Sequence, residues 1–227
     1  MIDRRVLLFV KWPAPGRVKT RLAETVGADA AVTLYRAFVA DELVALHAAG
    51  LPVTVCYDPD GAPEAEYRAW MAEPPAILVP AAFLAQRGAD LGQRMANAFI
   101  DVFTQGVAEA VLIGSDIPAL AAGDITGAFE ALPRRGAALA PSGDDGYTLI
   151  AFTRQAFALE VFEGVPWSTP EVLAATIGRF REYGCGLSLL PELPDADDVS
   201  ALATLAERFA SGGGPRNTLA AWQALAF

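Results

Sequence analysis

Lysine is nearly missing from this sequence: Lys11 and Lys19 are the only two, and every other strong base is arginine. Histidine occurs once, at His47, which argues against a histidine-based zinc site or a Ser-His-Asp triad. There are two cysteines, Cys56 and Cys185, each in an apolar, strand-like run. They read as buried free thiols of a reducing compartment rather than a disulfide or redox pair. Long apolar runs are absent too. Residues 6–10 give five apolar positions before Lys11, too few for a signal-peptide core, and no run approaches the roughly 20 residues that span a bilayer. The expected location is the cytoplasm, with no membrane partner. Positive charge is scarce: the formal net charge is −10, which argues against broad adhesion to nucleic acid or an anionic surface.

What is present is ordinary for a globular chain: 227 residues, 53% hydrophobic and 19% charged. No internal repeat, low-complexity tract or linker divides it, so residues 1–227 are expected to form one domain. The exception to the acidic balance lies at the start. Residues 1–22 carry Arg4, Arg5, Lys11, Arg17, Lys19 and Arg21 against Asp3 alone, a net of +5, which leaves −15 for the remainder. Both lysines fall in one Gly- and Pro-bearing loop after the first strand, a local site for an anion and, by its composition, for phosphate.

The hydrophobic pattern predicts an apolar strand over 4–10, ended by the Pro13/Pro15/Gly16 cluster. A long helix follows, with Val32, Tyr35, Val39, Leu43 and Leu46 on one face, stopped by Gly50 and Pro52. Further strands are expected over 53–57, 76–80 and 110–114, a pair over 137–141 and 147–152, and an extended stretch over 187–190. Helices are expected over 63–71, after the loop 86–92, over 169–183 and 199–210, and in a last short segment ending at residue 227. Strands alternating with helices, several apolar throughout, argue for a mainly parallel α/β sheet covered on both faces. In such sheets ligands bind beyond the carboxyl ends of the strands. The polar motifs follow strands directly.

In the first loop, Gly16 lets backbone approach a ligand, and Lys19 and Arg21, two apart, would point the same way from an extended loop. A lysine point charge beside an arginine fork suits a diphosphate. The Walker spacing is absent. The bland alternative is a solvated basic loop feeding a helix. Asp116 follows the apolar strand over 110–114, where a metal ligand is expected; a helix N-cap is the competing reading, for which Asp124 is equally placed. Asp144 and Asp145 sit in a Gly-flanked turn, a place where aspartate is common for local reasons. Asp195 and Asp197 alternate in an extended stretch and so share a face. With Asp198 beside them, three carboxylates this close repel one another unless solvated or bound to a cation, and an oxygen-only donor set favours Mg²⁺ or Mn²⁺.

With these motifs assembled, the chain resembles the bacterial family of small GT-A-fold, cofactor-guanylyltransferase-like proteins described as glycosyltransferases, or nucleotide-diphospho-sugar transferases, some linked to arsenosugar biosynthesis. The resemblance rests on residues 9–22 (FVKWPAPGRVKTRL), 86–95 (QRGADLGQRM), 113–118 (IGSDIP), 144–147 (DDGY), 166–169 (PWST) and 193–197 (LPDAD), in family order along nearly the whole chain. It implies a three-layer α/β/α fold. It also implies that Lys11, Lys19 and Arg21, with Gly16, face nucleotide phosphates, that Gln86, Asp90 and Arg94 border the base, ribose or phosphate region, and that Asp116 ligates a metal with Asp197 as second ligand. The chain departs from the family at two points. Asp145 stands where the family usually has glycine, and the late motif reads Asp198 and Ala201 where the family has threonine and aspartate.

The leading expectation is glycosyl transfer from a nucleotide-sugar to a small acceptor, with Asp144 or Asp145 deprotonating the acceptor hydroxyl and the basic loop and cation stabilising the departing diphosphate. The alternative is nucleotidylyl transfer from a nucleoside triphosphate to a phosphorylated molecule, with pyrophosphate release. It lacks the Gly-rich loop with a terminal Pro-Lys usual in that superfamily. A non-catalytic nucleotide-binding module is the third reading. Trp167 is a candidate stacking or packing residue, and Ser168 or Thr169 a candidate cap. Trp222 and Phe227 are expected in the core or a homodimer contact.

Overall fold

The computed structural model describes residues 3–73 and 80–225. They form a seven-stranded sheet between two layers of helices. In chain order the elements are β1 (Arg4–Val10), α1 (Thr20–Val26), α2 (Ala28–Ala49), β2 (Val53–Tyr57), α3 (Glu64–Ala72), β3 (Ala82–Ala85), α4 (Leu91–Thr104) and β4 (Glu109–Ile113). Then come α5 (Ala122–Arg135), β5 (Ala137–Pro141), β6 (Tyr147–Thr153), α6 (Val172–Glu182), β7 (Ser188–Leu189), α7 (Val199–Arg208) and α8 (Arg216–Gln223). A strand expected over 76–80 lies mostly outside the described residues, and the strand that joins β2 is β3.

The sheet order is β3-β2-β1-β4-β6-β5-β7, and β6 alone runs antiparallel to its neighbours. This is the mainly parallel three-layer architecture that the alternation of strands and helices predicts. The central strands are apolar on both faces because both faces are covered. Val6, Leu8 and Val10 of β1 pack with α2, α3 and α5, while Leu7 and Phe9 point to the opposite layer with α4 and α6. A third, smaller cluster joins Leu22 of α1, Leu34 and Phe38 of α2, Leu202 of α7 and Trp222 of α8. Trp222 is thereby a packing residue; Phe227 lies outside the described residues.

The chain leaves β1 toward β2 on one side and returns across it to β4 on the other. The order therefore reverses between β1 and β4, and a crevice opens past their carboxyl ends. Both the basic loop after Val10 and the segment from Ser115 to Pro118 empty into it.

Candidate functional site

The basic loop is shaped by local constraints. Trp12 is anchored edge-on to Tyr67 and Trp70 of α3, with ring centroids 5.2 and 6.1 Å away. Gly16 turns at φ +75°, a left-handed conformation glycine adopts without penalty. Lys19 itself has φ 46° and ends the loop, and α1 starts at Thr20. The expectation of an extended loop carrying Lys19 and Arg21 side by side is thus corrected: the left-handed Lys19 and the first turn of α1 separate them. Both nevertheless reach one carboxylate. Lys19 Nζ lies 2.6 Å from Asp197 Oδ1, and Arg21 Nη1 lies 3.8 Å from Asp197 Oδ2. The Lys19 side chain is only 5% exposed, whereas that of Arg21 is 73% exposed. Lys11 is exposed.

Across the crevice, Asp116 follows β4, and its carboxylate lies 3.4 Å from Lys19 Nζ. The competing reading of Asp116 as a helix cap does not hold, because Asp124 accepts the Ala121 N–H at 2.8 Å and caps α5. The late acidic segment is tied to Asp116 by backbone: Ala196 N–H donates to the Asp116 carbonyl at 2.9 Å, and Leu193 N–H to Pro141. With buried Ala196 pinned, the carboxylates on either side come forward. Asp116, Asp195 and Asp197 each bring an oxygen within 4.8 Å of the other two. Asp195 is the residue the ligand reading omitted, although its alternation with Asp197 already placed it on the same face.

The electrostatics follow from this crowding. Burial, then the neighbouring charges of Asp116, Asp197 and Asp144, raise Asp195 from the ordinary carboxylate range to about 7. Burial alone would lower Lys19, but Asp116 and Asp197 outweigh it and the ammonium is held above its usual value. Lys19 also sits over the Phe38 ring, 5.7 Å from its centroid.

Toward β2 lies a second charged group that sequence reasoning missed. Asp58, directly after β2, lies 3.5 Å from Arg17 and 3.8 Å from Arg94. Its position one residue past an apolar strand was the available signal, the same one that marked Asp116. Gln86 spans the strand ends nearby, its amide donating to the Cys56 carbonyl at 2.8 Å and to Val10 at 3.4 Å. Asp90 instead caps α4, accepting the Gln93 N–H at 2.8 Å.

In the turn before β6, Asp144 accepts the Ser142 hydroxyl at 2.5 Å and the Gly146 N–H at 3.3 Å, so it also organises its own turn. Asp145 is exposed at φ 63°, and its carbonyl accepts the Leu173 N–H. Trp167 packs edge-on to Tyr147, 6.3 Å between ring centroids, and closely over Gly92. The Thr169 hydroxyl accepts the Glu171 N–H and donates to the Pro166 carbonyl just before α6.

Comparison with known proteins agrees with this architecture. Residues 42–169 match the family model described as "Uncharacterized protein conserved in bacteria (DUF2064)", and the chain belongs to that family. A crystal structure of a "putative nucleotide-diphospho-sugar transferase" from Desulfovibrio desulfuricans G20 is 35% identical, with 99% of this chain and 97% of that one covered and a TM-score of 0.87. Two more distant structures share the fold. One is the 4-diphosphocytidyl-2C-methyl-D-erythritol synthase of Anaerococcus prevotii DSM 20548, at 8% identity, 92% and 99% coverage and TM-score 0.58. The other is a CMP:2-keto-3-deoxy-manno-octonic acid synthetase complexed with CTP, at 13% identity, 92% and 99% coverage and TM-score 0.52. The search of curated proteins finds no match.

Proposed function

We propose that the protein is a metal-dependent transferase that moves a sugar from a nucleotide-sugar to a small acceptor. The observation that carries this reading is the meeting of Lys19 with Asp116, Asp195 and Asp197 beyond the ends of β1 and β4. Three carboxylates and one ammonium sum to −2 when all are ionised, the charge a divalent cation balances. The all-oxygen donor set suits Mg²⁺ or Mn²⁺. Asp195 is raised by burial first and then by the charges of Asp116, Asp197 and Asp144, and such an ion would favour its ionised form. Asp116, Asp195 and Asp197 would hold the ion, and its chemistry would be to neutralise charge on the diphosphate leaving group.

The remaining roles belong to the chain. Lys19 and Arg21, with Lys11 at the loop entrance, face the diphosphate as the bond between the anomeric carbon and the phosphate oxygen breaks. Gln86, Arg94 and Arg17 line the side of the crevice toward the nucleoside. Asp144, the member of the acidic turn whose charge acts on Asp195, accepts the proton of the acceptor hydroxyl as its oxygen bonds to the anomeric carbon. The name carried by the 35% identical relative favours this reading. The second reading, nucleotidylyl transfer with pyrophosphate release, is favoured by the cytidylyl enzymes that share the fold.

A thermal-shift series separates them, since a ligand selective for the native state raises stability by mass action. With Mg²⁺ or Mn²⁺ present, nucleoside diphosphates and nucleotide-sugars are expected to raise Tm. Stabilisation only by a triphosphate, with pyrophosphate released, would favour the second reading. Asp116→Asn is expected to abolish metal-dependent stabilisation while the protein stays folded. Full metal dependence in that variant would overturn the site.

A further inference from the structure

Helix α2 buries two polar side chains against the back of the crevice. Tyr35 and Glu42 lie seven residues, two turns, apart on one face, and are 3% and 0% exposed. The Tyr35 hydroxyl accepts the Lys11 N–H at 2.9 Å and shares a 2.8 Å hydrogen bond with the Ser115 hydroxyl, so one oxygen joins the basic loop to the acidic one. Glu42 Oε1 accepts the Ile117 N–H at 2.7 Å. That N–H belongs to the same peptide plane as the Asp116 carbonyl, which accepts the Ala196 N–H. The plane is therefore gripped from both sides, by α2 behind and by the Asp195–Asp197 segment in front.

We propose that Tyr35 and Glu42 are positioning residues that fix the spacing and aim of Asp116 relative to Lys11 and to Asp195 and Asp197. Burial of a carboxyl is costly unless its partners are complete, and Glu42 Oε2 has no hydrogen-bond partner among the described residues. An apolar side chain of similar length would serve the core at least as well. What it would not do is hold the Ile117 N–H. The hydrogen-bonded series from Glu42 through the 116–117 peptide to Ala196 reaches the backbone between the two late carboxylates, and each member polarises the next.

The inference rests on the metal reading above, and the test keeps the two apart. Mn²⁺ affinity is measured by isothermal titration on the full chain for wild type, Glu42→Gln, Glu42→Met and Tyr35→Phe, with Tm and amide hydrogen exchange recorded for each. Glu42→Met is expected to weaken Mn²⁺ binding by about 10-fold or more, the usual cost of losing a partner that orients a metal ligand. Its Tm should stay near wild type, with faster exchange confined to the amides of residues 116, 117 and 196. Glu42→Gln keeps an acceptor for Ile117 and should bind Mn²⁺ like wild type. Tyr35→Phe should speed exchange at Lys11 and weaken binding. Unchanged affinity and exchange in Glu42→Met would overturn the proposal, as would faster exchange throughout the chain with a lowered Tm. If wild type itself takes no Mn²⁺, the metal reading falls, and the local exchange of the residue 116 and 117 amides decides the positioning role alone.

Discussion

Lys19→Met removes the buried cation that faces the three carboxylates, leaving only the exposed Arg21 near Asp197 among the described residues, while keeping an unbranched side chain over Phe38. In the native protein the ammonium is almost fully buried, 2.6 Å from Asp197 and 3.4 Å from Asp116. Breaking a buried ion pair by deleting one partner costs about 3–5 kcal/mol. Here the two aspartate side chains are 38% and 37% exposed. Solvent screens part of the repulsion left behind, so we expect about 2–3 kcal/mol at pH 8 in chelator. For a chain of this length that lowers Tm by about 4–12 °C. The carboxylates left without Lys19 carry −3 rather than −2, so Mg²⁺ should raise the Tm of the variant more than that of wild type. The assay is a circular-dichroism melt of both proteins with and without Mg²⁺. A variant that melts with wild type in chelator, or gains no more from Mg²⁺ than wild type does, would refute this account of how the site is balanced.

Three further outcomes follow from the same geometry. Because Asp195 in the folded protein is raised to about 7, its protonated form is favoured by folding. Its contribution to stability is full below the unfolded value of about 4 and is lost as pH rises to about 7. Metal binding must release that proton, so Mn²⁺ affinity should climb between about pH 6 and 8; a flat profile by titration calorimetry would contradict it. A Cβ at Gly92 would stand 2.7 Å from Trp167 and 2.8 Å from the Phe162 carbonyl. Gly92→Ala should therefore cost about 1–3 kcal/mol in a denaturant melt monitored by tryptophan fluorescence. Asp145→Gly meets the left-handed φ without strain and should leave stability within about 1 kcal/mol, whereas Asp145→Val should lose more.

The strongest signals in the sequence were those set by burial on both sides of a strand or by one apolar helix face. β1, β2, the β5–β6 pair and α2 declare themselves through continuous apolar runs and the spacing of Val32, Tyr35, Val39, Leu43 and Leu46. Helix α1 did not. It buries only Leu22, has no side-chain cap, and starts from a left-handed lysine that no local pattern announces. Asp116 was legible because a carboxylate past a central strand has few structural uses once Asp124 takes the helix cap. The involvement of Asp195 was half legible: alternation placed it beside Asp197, but the bond from Ala196 to Asp116, 80 residues away in sequence, is what makes three carboxylates one group. Glu42 went unnoticed although it lies three residues after Val39 and seven after Tyr35, a carboxyl on an apolar stripe. That anomaly was readable, and its partner, a backbone N–H in another loop, was not.

Two of the departing residues, Asp145 and Asp198, are explained at the level of backbone; nothing in the structure explains Ala201 in place of aspartate. Asp145 occupies a left-handed turn position where glycine is the default, and aspartate is among the few other residues that adopt it at modest cost. Its carbonyl, rather than its carboxyl, makes the contact to α6. Asp198 replaces threonine at the N-cap of α7, and its carboxylate accepts the Ala201 N–H at 2.8 Å, a bond either residue can make. Each position is governed by a requirement on φ or on a helix start, and the substituting residue meets it. Neither change touches the bond between Ala196 and Asp116 or the approach of Lys19, so the grouping of Lys19 with Asp116, Asp195 and Asp197 is independent of both.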